Sequence, residues 1–304
     1  MPLTLVGLGE LLWDVHGDSA RPGGAPANFA VHAAQLGAEA WVVSRVGDDD
    51  DGRRLVGELT SRGVKADAFQ ADPTAPTGRV TVHGEPPTYT IHEGVAWDRL
   101  ADDPTARRVI ASADAVCFGT LAQRAEPSRA SIQALLKQTK PGCLRVLDVN
   151  RREPFFTREV LEASFALADV VKVNDGELAY LAGWFGLPAG ERDGLIELVR
   201  RYGLKAAACT RGERGSVIVI GDTVSERPGV PVTVADTVGA GDAFTAALIL
   251  GLLAGWPADV VNERAGAVAE FVCTHPGGMP ELPPELRAMF TSSGSPGNRT
   301  SPGW

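Results

Sequence analysis

Short apolar runs recur along the chain, and most are followed by a stretch with helical spacing that stops at a glycine. Residues 3–8 (LTLVGL) read as a buried strand. The loop RPGG then opens a helix of small and apolar residues that ends at Gly37, and residues 40–47 (AWVVSRVG) give the next strand. Residues 49–63 (DDDGRRLVGELTSRG) form an amphipathic helix with acids in its first turn and Gly63 at its end. A strand–helix–strand order of this kind predicts a mostly parallel sheet covered by helices. Further strands are expected at 114–118, 144–149, 169–173 and 206–210. Helices are expected at 127–139, 158–167, 175–183, 190–202, 241–254 and 258–273.

The rhythm breaks once. Residues 77–92 (TGRVTVHGEPPTYTIH) alternate apolar and polar around a GEPP turn, the pattern of a half-exposed hairpin. The segment LLWDVHG could add a strand to it. A small β lid is therefore expected from about 10–20 and 75–100, inside a single domain spanning 1–290. A second hairpin is expected in GSVIVIGDTVSERP. The Ser/Gly/Pro-rich residues 291–304 are expected to be disordered.

Composition removes several classes. A formal net charge of -9 is the wrong sign for a general nucleic-acid binder. The four cysteines are far apart with no C-x-x-C spacing, and three sit in apolar runs as small buried hydrophobes would. The five histidines show no H-x-x-x-H pairing, so a zinc site is not expected. The longest apolar run, near 243–254, is too short to span a membrane. The first residues lack the marks of a signal peptide, and the expected location is the cytoplasm. Monomer and homodimer both remain open.

In an open parallel sheet, ligands bind beyond the carboxyl ends of the strands. Polar, acidic and glycine residues gather there: Asp14, then Gly23, Gly24 and Asn28, then Asp148, Asn150 and Arg152, then Asn174 and Glu177, then Thr210, Gly212 and Gly215, and finally 236–242. The Walker pattern is absent, and the dinucleotide fingerprint fails at Leu12 and Phe244. The segment VGAGDAF can still cradle an anion, because its glycines open the backbone amides and the following helix points its positive end at the same place. Asp242 then has two readings: a base that takes a proton from an attacking hydroxyl, or a helix-terminal acid that offsets the dipole.

These residues together resemble the ribokinase-like, or PfkB, carbohydrate kinases. DTVGAGDAF (236–244) is similar to that family's C-terminal signature, and GGAPANFAVHAAQLGAEAWVVSRVGDDDDG (23–52) to its N-terminal one. VNDGE (173–177) resembles its N-x-x-E motif and TRGERG (210–215) its nucleotide loop. The motifs stand in order over nearly the whole chain. The resemblance implies a three-layer α/β/α sandwich with a mostly parallel central sheet and a β lid, and ATP-dependent phosphorylation of a sugar or nucleoside hydroxyl. It makes Asp242 the catalytic base and the amides of Gly239, Ala240 and Gly241 the anion hole. It gives Asn174 and Glu177 to Mg2+ and phosphates through water, and Thr210, Gly212 and Gly215 to ATP. Asp14, Gly23, Gly24 and Asn28 would hold the acceptor, and Asp236 would stand near a K+ site.

TIHEGVAWDRL (90–100), CFGTLAQR (117–124) and LDVNRREPFF (147–156) resemble fructokinase-type members. That resemblance places Trp97 against the apolar face of a sugar and Arg152 near the sugar or phosphate. Arg79 on the lid hairpin could reach the sugar or be an exposed strand charge. Ala25 stands where ribose-specific members carry Lys, which disfavours ribose. The leading expectation is a hexose kinase acting on fructose. A nucleoside or keto-deoxy sugar acid kinase, a catalytically silent sugar-binding protein and a nicotinamide dehydrogenase are the competitors.

Overall fold

A computed structural model describes residues 2–84 and 88–291. The GEPP turn residues 85–87 and the expected tail beyond Thr291 lie outside the described residues. The first half runs β1 (Thr4–Leu8), β2 (Leu12–His16), β3 (Ser19–Gly23), α1 (Ala25–Gln35), β4 (Glu39–Gly47), α2 (Asp50–Ser61), β5 (Phe69–Asp72), β6 (Gly78–His83), β7 (Thr88–Ile91) and α3 (Pro104–Ser112). The second half runs β8 (Ala115–Phe118), α4 (Glu126–Leu136), β9 (Leu144–Asp148), α5 (Arg158–Phe165), β10 (Val170–Asn174), α6 (Asp175–Phe185), α7 (Glu191–Tyr202), β11 (Ala206–Thr210), β12 (Ser216–Ile220), β13 (Thr223–Arg227), α8 (Ala240–Leu253), α9 (Ala258–Cys273) and α10 (Pro284–Thr291).

Nine strands form one sheet in the order β13-β12-β11-β10-β9-β8-β1-β4-β5. From β11 to β5 every neighbouring pair is parallel, and β12 is antiparallel to both its neighbours. Strands covered on both faces must be mostly apolar, and β1 and β8 read that way, while β10 does so apart from Lys172 and its last residue, Asn174. One core lies between the sheet and α1, α2, α8 and α9. The other lies on the opposite face, under α3 to α7. Helix α8 is buried from Ala243 to Leu252, as a helix apolar on every side must be. The ribokinase-like sandwich expected from the sequence is the observed architecture.

The lid is a separate four-stranded sheet in the order β3-β2-β6-β7. Strand β3 was not foreseen, because SARPG carries no apolar alternation. The short edge strand β5 and helices α3 and α10 were also missed. The expected lid boundary at 100 needs correction. Residues 96–99 form a 3-10 turn in which Ala96, Trp97 and Asp98 are buried against the main body.

This turn also corrects Trp97. Its ring is 1% exposed and belongs to the second core, with the Arg124 guanidinium 3.9 Å over its face. Arg124 is itself anchored to Asp98 at 2.7 Å. The face expected to meet a sugar is therefore occupied by an arginine. Trp97→Ala should cost about 3–5 kcal/mol of stability, as emptied aromatic core sites do. Denaturant unfolding checks this.

Candidate active site

The sheet changes direction of progression between β1 and β8, which opens a crevice at their carboxyl ends. The lid rises from this point. Pairing of β2 with β3 and β6 sets Asp14 level with Arg21 and Val80, and Trp13 level with Pro22 and Arg79. Side chains alternate along a strand, so Asp14 and Arg79 lie on opposite lid faces. Asp14 lies so close to the β3 backbone that a Cβ at Gly23 would stand 2.1 Å from its Oδ2. Arg79 instead pairs with Asp51 of α2 on the other face, as an exposed strand charge.

Three helix N-termini converge at this end of the sheet. Gly24, with φ of 105°, starts α1, and a proline follows in the first turn. Asn174 starts α6 in a reciprocal cap: its Oδ1 accepts from the Glu177 amide at 2.8 Å, and Glu177 Oε2 accepts from the Asn174 amide at 2.8 Å. Gly239 starts α8 with φ of 77° and no side-chain cap, which leaves the first-turn amides open to a ligand.

Asp242 sits in the first turn of α8. Its Oδ2 accepts from Asn28 Nδ2 at 2.7 Å, a contact that joins the two glycine loops across 214 residues. The residue keeps some surface, while its carboxylate is enclosed by protein. Burial pushes its pKa from the ordinary 3.8 to about 7, and Asp148 adds to the shift. The Asn28 amide, Lys172 and Arg152 pull the other way. Burial also raises Asp14 to about 6, against the pull of His16 and Arg152. Arg152 is exposed at the rim, and its charge reaches Asp14, Asp242 and Glu10.

Beyond the ends of β9 and β10, a cavity of about 310 Å3 is lined by Arg151, Arg152, Glu153, Asn174, Gly176 and Glu177. Both Glu177 oxygens are already engaged, since Oε1 accepts from the Arg151 amide at 2.8 Å. The carboxylate thus ties the exit of β9 to the start of α6. Thr210 ends β11, and Gly212 and Gly215 bracket the 3-10 turn that follows. Asp236 accepts from the Val238 amide at 3.0 Å and the Gly277 amide at 2.9 Å, and so fastens the loop before α8 to the loop after α9.

Apart from Trp97, the expected site residues are brought to one end of the sheet. Three others were passed over. Glu10 follows β1, is 2% exposed, and leaves its Oε2 without a partner among the described residues. Burial raises its pKa to about 7. Lys172 and Thr245 surround Asp148 beneath α8. A lysine inside the apolar run VVKVN was the available signal, because a charge buried in a sheet needs a partner.

Residues 4–285 match the profile of pfkB family carbohydrate kinases. The chain belongs to this family. It is 34% identical to a fructokinase of Klebsiella pneumoniae over 243 residues, 77% of each chain. Among solved structures, an uncharacterized sugar kinase from Pyrococcus horikoshii in complex with ATP superposes with a TM-score of 0.80 at 29% identity, over 94% of this chain and 100% of that one. A fructokinase with bound ATP from Xylella fastidiosa gives 0.85 at 21% identity, over 95% and 98%. The kinase is a sugar kinase and a phosphotransferase with an alcohol group as acceptor. No described helix is long and apolar enough to cross a membrane.

Proposed function

We propose that this kinase transfers the γ-phosphoryl group of ATP to a primary hydroxyl of a hexose, with fructose giving fructose 6-phosphate. The observation that carries the mechanism is the bond from Asn28 to Asp242, which fixes a high-pKa carboxylate at the mouth of an uncapped helix. Asp242 takes the proton of the acceptor hydroxyl. The freed oxygen bonds to the γ-phosphorus as the bond to the ADP oxygen breaks. Charge on the transferring group falls on the amides of Gly239, Ala240 and Gly241. Asp14, at the lid face, accepts from sugar hydroxyls, and Gly23, Gly24 and Asn28 shape the rest of the acceptor site. Arg152 stands at the rim between the acceptor and the phosphates.

Asn174 and Glu177 belong to the phosphate end, with Thr210, Gly212 and Gly215 along the nucleotide. No described group of three or more His, Cys, Asp or Glu side chains forms a metal cage, and the engaged Glu177 suits Mg2+ held by phosphates and water. When bound, Mg2+ would neutralise phosphate charge. Asp236 makes no ion pair with any described residue, so a K+ ion beside its loop fits the local charge.

ADP release measured with Mg2+ and ATP over fructose, glucose, ribose, adenosine and a keto-deoxy sugar acid tests the acceptor. Fructose should exceed the others at equal concentration. Turnover of adenosine or the sugar acid alone would move the assignment to those acceptors.

The base also sets a pH dependence. The ionised form of Asp242 is the active one, so kcat/KM should climb with pH up to about 7 and level off above it. The linkage has the opposite sign for stability. Between the ordinary 3.8 and about 7 the folded protein holds a proton that the unfolded chain has released. This contribution to stability therefore declines as pH rises through that window. Thermal unfolding of wild type and Asp242→Asn across the same range isolates it.

A further inference from the structure

Strand β10 is apolar up to Asn174 except for a lysine at its middle. Val170, Val171 and Val173 are fully buried, and Lys172 is only 6% exposed. Its Nζ donates to Asp148 Oδ1 at 3.2 Å. The other Asp148 oxygen, Oδ2, accepts from Thr245 Oγ1 at 2.9 Å, and that hydroxyl also lies 2.9 Å from the Gly241 carbonyl. A Cβ on Gly241 would stand 2.7 Å from Nζ. The ammonium thus occupies the space that a side chain on the anion-hole turn would take.

The charges around Asp242 come from several elements. Asp148 ends β9, Arg152 follows it, Lys172 rises from β10, and the Asn28 amide comes from α1. Cys117 of β8 faces the same cluster as a neutral thiol, pushed far up by burial and by the carboxylates around it. Burial works against the charge on Lys172. The Asp148, Glu177 and Asp242 carboxylates outweigh it and hold the lysine above its ordinary pKa.

We propose that Lys172 is a positioning residue for phosphoryl transfer: it holds Asp148, and through it the first turn of α8, and it sets a fixed positive charge behind the amides of 239–241. The proposal rests on the reading of Asp242 as the base. In that arrangement Lys172 and Asp148 act on the base with opposite signs. Removing the lysine leaves the Asp148 repulsion unopposed, and removing Asp148 leaves the lysine unopposed.

The test compares pH profiles of kcat/KM for Lys172→Met, Asp148→Asn, Thr245→Val and Asp242→Asn, with thermal unfolding of each. In Lys172→Met the acidic limb should move up by about 1 pH unit, and kcat should fall by about 10-fold to 100-fold. In Asp148→Asn the limb should move down. Thr245→Val, which changes no charge, should lower kcat with the limb unmoved. A purely structural lysine would lower activity without opposite limb shifts, and unmoved limbs in both charge variants overturn the proposal. Wild-type turnover in Asp242→Asn would instead remove the base reading. If Lys172→Met does not fold, the paired variant Lys172→Met/Asp148→Asn, which removes both charges, decides: a limb above that of Asp148→Asn alone supports the role, and a limb equal to it overturns it.

Discussion

Asp242→Asn should lose turnover by about 10²–10⁴-fold while still binding sugar and ATP, because general-base help of this kind contributes on that order. The substitution keeps the shape of the side chain. The new amide oxygen can still accept from Asn28, whose Nδ2 donates to Oδ2 at 2.7 Å in the native protein. The helix start, the glycine turn and the buried surroundings remain, so the loss falls on proton transfer. It also removes a carboxylate that burial raises to about 7, so the folded protein should gain stability at alkaline pH. Loss of activity with equal or higher stability separates a chemical role from a helix-terminal acid that only offsets the dipole. Calorimetric titration of sugar and ATP, beside ADP release, measures both sides. A variant as active as wild type would return Asp242 to the helix-capping reading.

The second large effect is expected at Gly239. This residue has φ of 77°, a region that L side chains rarely adopt. A Cβ there would also stand 2.2 Å from the Gly278 carbonyl oxygen. That carbonyl is not free to move: His32 Nε2 lies 2.9 Å from it, and the neighbouring Gly277 amide is held by Asp236 at 2.9 Å. Gly239→Ala must therefore push the turn away from the loop after α9. The amides lose their aim, and kcat should fall by about 10²–10³-fold, the scale for a lost oxyanion donor. Backbone strain adds about 1–3 kcal/mol of destabilisation. Steady-state kinetics with thermal unfolding check the pair, and a variant with normal kcat would show that the turn tolerates displacement.

Much of this is legible in the sequence, for physical reasons that differ by element. Strands β1, β4 and β8 to β11 announce themselves because burial on both faces demands mostly apolar runs. Helices α2 and α7 announce themselves through amphipathic spacing. Strand β3 did not, because SARPG is held by pairing with β2 and carries no pattern of its own. The strand-end rule located Asp14, Asn28, Asn174, Glu177 and Asp242, since connection order alone brings them to one end. It could not foresee that the Glu177 oxygens would both be spent on backbone amides, which is a matter of geometry. It also misjudged Trp97. The aromatic-acid segment around it carries the resemblance, yet no spacing reveals that Arg124 stacks on the ring. Lys172 was readable in principle, and its partner Asp148 had already been singled out by position.

The lid and Asp242 are joined with almost no slack. Strand β3 ends at Gly23, Gly24 caps α1, and α1 begins at Ala25. The chain therefore passes from the lid pairing of Asp14 with Arg21 to the Asn28–Asp242 bond with no intervening loop. Surface loops absorb an extra residue at little cost, but this junction has nowhere to put one. An insertion here would turn the phase of α1 by about 100° and carry Asn28 off Asp242. Positions 23–25 are thus a point of fixed chain length as well as of fixed side-chain size, since a Cβ at Gly23 or Gly24 would also meet neighbouring atoms.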